Sequence, residues 1–372
     1  MEYKKITFVL GKFPNPRMKK RIELEKRIGS VSLICWNMGS VNYDYYDKEV
    51  ELVSIDIKAN RTNPLKRIIP TIKFMYKSIK KLFEISPEIL HVENVDMLFV
   101  GTIYYLLKRK KPRIVYEVAD LHNLIINEPN TLKRKMIKQI LVLFERKMCR
   151  VISLLIITSE RFYDVYYKEF IDSDKVVFMP NMPELKVFKD YDKKEKGRFT
   201  IGFVGSIRYY DQMKLLIEAS NNKGIDVIFA GFTHNKEFQS EFADKQNVSF
   251  LGKYDYDKDI SNIYKKLDCV YSVYNADDNN VKVALPNKLY EAIYCELPII
   301  VASGTYLSEL VSEMGVGVSV YHKSLKELEI AIDELVNNTE LYESIVRNCK
   351  IHKERLNINM YNSKLITKIK GL

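Results

Sequence analysis

Clustered cysteines and long apolar runs are both missing from this 372-residue sequence. Its five cysteines, Cys35, Cys149, Cys269, Cys295 and Cys349, stand far apart and form no CxxC and no Cys/His group. This spacing argues against a zinc module and a disulfide framework and predicts a reduced, cytoplasmic setting. The N-terminal MEYKKITFVLGKF contains only the short apolar run ITFVL, too brief for the core of a secretory signal, so export by that route is not expected. The longest run elsewhere, VISLLII from Val151, falls far below the roughly 18 residues that a bilayer span needs. No short internal repeat, helix-turn-helix pattern or zinc-finger pattern is visible.

What is present is globular. Hydrophobic residues make up 47% of the chain and charged residues 29%, enough apolar material for real cores, and the length predicts about two domains at roughly 150 residues each. The net charge of +11 is unevenly spread: residues 1–195 hold 37 Lys/Arg against 25 Asp/Glu, whereas residues 196–372 hold 22 against 23. The excess positive charge therefore belongs to the first half, which suits contact with a polyanionic surface, either nucleic acid or an anionic membrane leaflet.

Short β-branched runs alternate with helix-length segments along the whole chain. In the first half they are ITFVL (6–10), VSLIC (31–35), EILHV (88–92), RIVYEV (113–118) and SLLIIT (153–158). In the second they are FTIGFVG (199–205), DVIFAG (226–231), VSFLG (248–252), CVYSV (269–273), PIIVA (298–302) and VGVSV (316–320). This rhythm predicts βαβ units and an α/β fold of two doubly wound domains. The charged segment KDYDKKEKGRF (189–199) lacks apolar periodicity and marks the boundary, giving domains 1–195 and 196–345 and a helical segment 346–372 expected to pack back on the first domain.

Two first-half segments carry the charge. From Pro70, read as a first-turn residue, Ile72, Met75, Tyr76, Ile79, Leu82 and Phe83 recur at helical spacing beside Lys73, Lys77, Lys80 and Lys81. From Thr131, a second stripe runs from Leu132 through Met136, Ile140 and Phe144 to Met148, with Lys133, Arg134, Lys135, Lys138, Arg146 and Lys147 alongside. Either each stripe packs on the sheet and the lysines are a solvated face, or the helices meet an anionic membrane.

In open α/β sheets, ligands bind beyond the carboxyl ends of the strands. FVGSIR is one such end: Gly205 permits close backbone approach, Ser206 follows, and Arg208 and Lys214 are cations able to meet phosphate, although a glycine there also serves simply to turn the chain. LPNKLYEAI is another, where Asn287 is placed to cap a helix, Lys288 to meet an anion, and Glu291 either to complement the helix dipole or to accept hydrogen bonds from sugar hydroxyls.

Together these stretches resemble the retaining glycosyltransferases of family 4, whose architecture is GT-B: two Rossmann-like domains facing each other across a cleft. EAIYCELPI resembles the family's EAMACG-x-PV signature, which implies that Glu291 is the ribose-binding carboxylate and puts Glu296 where glycine is usual. FVGSIR resembles the opening of the family's donor domain, and NVSFLGKYDYDKDISNIYKKLDCVYS its nucleobase-loop segment, which implies donor-side roles for Gly252, Lys253 and Tyr254. YEVADLH around Asp120, VVFMPNM with Asn181 and NPRMKKRIELEKRIGSVSLI are similar to landmarks of the first domain. The sequence departs from the family's paired glutamates, because the position eight before Glu291 is Val283; it resembles instead the PNK-type members, with Asn287, Lys288 and Leu289 in that place.

The resemblance implies a retaining, hexosyltransferase-type enzyme moving a sugar from a nucleoside-diphosphate sugar to a lipid-linked or polysaccharide acceptor in cell-surface polysaccharide biosynthesis. Lys288 and Arg208 would neutralise the diphosphate; Asp120 and His122 would orient the acceptor hydroxyl or the donor sugar, and the Gly11-Lys12 turn is a further candidate on the acceptor side. The family's retention is attributed to front-face attack, so no dedicated nucleophile is expected. Neither a cofactor nor a metal is expected, and Asp277-Asp278 reads as a polar loop. The basic half predicts a peripheral protein on the cytoplasmic face of an anionic membrane, with no nucleic-acid partner. The competing readings are a nucleotide-sugar epimerase of the same architecture and a nucleic-acid-binding protein that uses the basic half.

Overall fold

The computed structural model describes residues 4–39, 47–60, 63–127, 131–188, 197–233, 235–242 and 244–372. The chain forms two compact units, Met1–Met179 together with Asn359–Leu372, and Pro180–Ile358. Residues 189–196 of the segment expected to join two domains lie outside the described residues.

The first unit is built on a parallel sheet of β1 (Lys4–Leu10), β2 (Gly29–Asn37), β3 (Val50–Asp56), β4 (Ile89–Glu93), β5 (Arg113–Val118), β6 (Ile152–Ile157) and β7 (Val176–Phe178), in spatial order β3-β2-β1-β4-β5-β6-β7. The second holds β8 (Thr200–Val204), β9 (Asp226–Ala230), β10 (Val248–Gly252), β11 (Cys269–Ser272), β12 (Ile299–Ala302) and β13 (Gly317–Val320), in order β10-β9-β8-β11-β12-β13. All the pairings are parallel. Central strands such as β4 and β8 are buried at every residue, because helices cover both faces of a parallel sheet and leave no solvent side to favour alternation. Each sheet is doubly wound, and its strand order reverses once, between β1 and β4 in the first unit and between β8 and β11 in the second. Those reversals are where such folds open a crevice for ligands.

The stripe that periodicity finds on the first basic helix is only partly buried. The helix runs Pro64–Ile85, started by Pro64 and by the Asn63 side chain, which accepts from Leu65 N and Lys66 N; Pro70 lies inside it. Phe74, Ser78, Leu82 and Ile85 are its buried positions, whereas Ile72, Tyr76 and Phe83 point outward. In the second, Leu132–Cys149, only Glu145, Met148 and Cys149 are buried, and Leu132, Met136, Ile137, Ile140 and Phe144 are exposed. Of the two alternatives, full packing of both stripes on the sheet is not what the structure has: each helix keeps an apolar, lysine-flanked face uncovered by its own unit.

The core of the first unit also takes in the end of the chain. Leu365 and Ile369, on the helix Ile358–Lys370, pack with Ile6, Phe8, Met18 and Leu33. Beside that core lies a buried ionic cluster. Arg17 pairs with Glu93 and Glu117, Arg21 Nε lies 2.9 Å from Glu117 Oε2, and the His91 ring bridges Glu25 (2.8 Å) and Glu117 (3.1 Å). Burial opposes charging of His91, but the two carboxylates outweigh it and lift its pKa to about 9. For Glu117 burial works the other way and is overcome by Arg21, Arg17 and His91, leaving it well below the usual carboxylate range.

Candidate functional site

In the second unit the site is assembled around the reversal between β8 and β11. The helix Lys288–Tyr294 is buried at all seven residues, so both of its charges, Lys288 and Glu291, are out of water and need partners. Lys288 is 5% exposed; its Nζ donates to the Tyr274 hydroxyl at 2.6 Å and lies 4.4 Å from the Phe203 ring centroid and 5.2 Å from that of Tyr274. Among the described residues no carboxylate pairs with it. A neutral hydroxyl and two ring faces support an ammonium but do not neutralise it.

Gly205, directly after β8, completes the pocket wall. Its φ is +132°, and a Cβ built there would come 3.1 Å from Lys288 Nζ. Gly231, after β9, has φ +140°, and a Cβ on it would fall 1.9 Å from the Gly205 carbonyl oxygen. Only glycine fits this pair of strand ends, and the result is bare backbone beside the lysine.

Glu291, 1% exposed, is held by three uncharged donors, which leaves part of its acceptor capacity open. Oε1 accepts from the Tyr256 hydroxyl at 2.7 Å and from Asn287 Nδ2 at 2.8 Å, and Oε2 accepts from Tyr264 at 2.6 Å. Burial and then the Glu291 charge push the Tyr256 and Tyr264 hydroxyls far up, so both remain donors. Asn287 does not cap the helix as expected: its backbone is α-helical, and its amide is spent on Glu291 instead. Leu289 points into the core at 1% exposure. Glu296 adopts φ +55°, the left-handed conformation natural to glycine, and its carboxylate is held by Lys353 at 3.0 Å.

The remaining sequence candidates on this unit are more dispersed. Ser206 and Arg208 are exposed just beyond Gly205, and among the described residues Arg208 has no ion-pair partner. Lys214 is turned to Glu241 (2.8 Å) on the surface and does not join Lys288. Gly252 sits at φ +70°, Lys253 lies 4.7 Å from the Phe232 ring centroid, and Tyr254 is half-buried, its hydroxyl pushed up by burial and by Glu291. Asp278 caps the helix Asn279–Val283, and Asp277 faces Lys323 and His322. Among the described residues no cluster of His, Cys, Asp or Glu has metal-binding spacing.

The first unit gathers its own candidates at the β1/β4 reversal. Gly11 follows β1, and a Cβ on it would be 3.3 Å from Asp96 Oδ2. Burial raises Asp96, while two amides and the charges of Arg67 and His122 pull it back. Asn94, between β4 and Asp96, has φ +68°. Lys12 is near enough to Glu93 to act on it electrostatically. Asp120 and His122, after β5, line with Asp96 and Arg67 a cavity of about 1030 Å³ within this unit. Sequence reasoning missed Asp96, Asn94 and the tyrosines 256, 264 and 274; the single available signal was a carboxylate three residues after a strand.

Residues 186–352 match the sequence model of the family described as glycosyl transferases group 1. No curated protein sequence matches the chain. Among solved structures, Anabaena Alr3699/HepE in complex with UDP and glucose superposes with a TM-score of 0.74 at 16% identity, over 100% of both chains. The sucrose-phosphate synthase of Thermosynechococcus elongatus gives 0.76 at 11%, over 99% of this chain and 98% of that one. WaaG, a glycosyltransferase involved in lipopolysaccharide biosynthesis, gives 0.71 at 15%, over 97% and 98%. Likeness at such identities shows the fold: this is a GT-B chain of two Rossmann-like domains.

Proposed function

We propose that the chain is a retaining glycosyltransferase whose C-terminal unit holds a nucleoside-diphosphate sugar. The observation that carries the reading is Lys288: a buried ammonium with no carboxylate beside it among the described residues, at the strand-order reversal, next to backbone bared by Gly205. A diphosphate is the ligand that such a site lacks. The match of residues 186–352 to glycosyl transferases group 1 supports the same reading.

In this reading the diphosphate oxygens sit against Lys288, with Arg208 reaching in from its exposed loop. Negative charge grows on the leaving diphosphate as the sugar–phosphate bond breaks, and a fixed cation already desolvated between Phe203 and Tyr274 stabilises that charge without reorganising. Glu291 turns its remaining lone pairs to the ribose hydroxyls, its position held by Tyr256, Tyr264 and Asn287. The leaving phosphate takes the acceptor's proton, so no side chain of this protein serves as a nucleophile. In the N-terminal unit Gly11, Lys12, Asp120 and His122 bind the acceptor in this reading, and Asp96, which lines the same cavity as Asp120 and His122, joins them. The acceptor is lipid-linked or a growing polysaccharide, and the two basic helices hold the protein peripherally on an anionic membrane face.

UDP is the first probe, since the Anabaena protein binds UDP and glucose. Thermal unfolding with UDP and a panel of UDP-sugars should show a saturable shift that Lys288→Ala abolishes. An unchanged shift in that variant overturns the site. Consumption of a nucleotide sugar without any acceptor, yielding its epimer, overturns transfer in favour of epimerisation.

A further inference from the structure

The cavity of about 1030 Å³ in the N-terminal unit is not needed for donor binding, and its size stands at the upper end of the roughly 300–1,000 Å³ usual for small-molecule sites. Its walls are mainly aliphatic and aromatic, with Ile72 and Met75 from one basic helix and Ile137, Ile140 and Phe144 from the other. Three of these, Ile72 (60%), Ile140 (54%) and Phe144 (54%), are more than half exposed. Exposed aliphatics lining a concave space form a site waiting for an apolar occupant.

The polar groups at this cavity define the occupant further. Glu145, deep in the wall, is satisfied by the hydroxyls of Tyr116 (2.8 Å), Tyr166 (2.9 Å) and Tyr167 (3.0 Å), so it makes no claim on a ligand. The two helices that contribute to its wall are strongly cationic. Pro64–Ile85 carries six Lys/Arg against Glu84 alone, and Leu132–Cys149 six against Glu145 alone. Lys66, Lys73, Lys77, Lys133 and Lys135 form no ion pair among the described residues. An occupant that is a hydrocarbon inside and an anion outside satisfies both features. Asp96, Asp120 and His122, at the strand ends, line the same cavity.

We propose that this cavity takes the single hydrocarbon chain of a lipid phosphate, with the phosphate met by Arg67, which lines it, and by the lysines of the two helices that form its wall. Its identification as the carrier of the acceptor rests on the glycosyl-transfer reading; the lipid site itself does not. Chain burial in the cavity differs from flat contact with a membrane in which residues it needs. Ile72 and Ile140 line the cavity, whereas Leu65 and Leu132, on the same two helices and still more exposed, do not.

The test is equilibrium binding of monomeric farnesyl phosphate to the full chain, with inorganic phosphate and farnesol as separate probes. Saturable binding at one site per chain is expected, weaker for farnesol and absent for phosphate. The pair Ile72→Asp with Ile140→Asp should weaken it at least about tenfold, because two charges now line an apolar pocket. Leu65→Asp with Leu132→Asp should change it less than about twofold. Equal losses in both pairs would make the contact a flat surface and overturn the cavity, as would binding that appears only above the probe's aggregation threshold or only together with dimerisation. The UDP-induced thermal shift of the same variants reports that the chain is folded. It also separates the two ideas: a lost nucleotide shift in the wild type with farnesyl phosphate still bound removes the transferase reading and leaves the lipid site standing.

Discussion

Lys288 and Tyr274 are joined by a hydrogen bond of 2.6 Å in which the lysine is the donor, and among the described residues no carboxylate pairs with the ammonium. A side chain so placed lowers stability unless a ligand completes it. Lys288→Met should therefore leave the unliganded protein as stable or more so by thermal unfolding, remove the nucleotide-induced shift, and cut transfer by about 10²–10³-fold. A variant that lost stability together with binding would make Lys288 a structural residue.

Glu291 depends on its tyrosines as much as they depend on it. Hydrogen bonds to a buried charge contribute about 1.5–3 kcal/mol each, so Tyr264→Phe should destabilise the C-terminal unit by an amount in that range in urea titrations. Because Tyr256 and Asn287 still hold Oε1, nucleotide affinity should fall less in Tyr264→Phe than in Glu291→Gln, a ranking that calorimetry with the nucleoside diphosphate would check.

At Glu296 the left-handed backbone costs about 1–2 kcal/mol for a residue with a Cβ, and the partly exposed pair with Lys353 returns about 0–1. Glu296→Gly should raise the urea midpoint, with an unchanged slope, by the equivalent of about 0.5–1 kcal/mol. Transfer activity should be unaffected.

The His91 cluster makes stability fall toward alkaline pH. A histidine raised from about 6.5 unfolded to about 9 folded contributes fully below pH 6.5 and loses that contribution as pH climbs through 9. For this buried ring the contribution is on the order of 3 kcal/mol. Glu117, held low, acts oppositely, stabilising above the ordinary carboxylate range and failing in acid. Unfolding free energy measured from pH 6 to 9.5 should drop in the wild type and run flatter in His91→Gln.

Much of the fold could be read from local pattern. All six strands of the C-terminal sheet coincide with apolar runs; the central ones do so because strands buried on both faces are written as such, while the edge strands β10 and β13 are apolar in sequence though largely uncovered. The two strands missed, β3 and β7, are the edges of the other sheet; β3 is half exposed and interleaves Glu51, Ser54 and Asp56 with its apolar residues, and β7 is three residues long. The helix stripes were only partly legible for a different reason. Period 3.6 finds an apolar face but does not say whether protein covers it, and here Phe74 and Leu82 face inward while Ile72 and Tyr76 form a second apolar face outward. At the site, Lys288 and Glu291 were legible because they share one short helix with Asn287. Tyr256, Tyr264 and Tyr274 were not, since they come from other elements and meet those residues only through the fold.

The return of the last helix to the first unit has a consequence for how the protein is made. Leu365 and Ile369 fill the core around Ile6 and Phe8, so the strands at residues 4–37 cannot finish packing until the helix Ile358–Lys370, more than 300 residues further on, has been translated. At about 5–20 residues per second, the N-terminal strands wait on the order of tens of seconds for those contacts, while the second unit, Pro180–Ile358, is one continuous stretch of chain. The half synthesised second is thus the half able to mature first, and the basic, apolar-faced half spends that interval as a nascent chain without its closing helix.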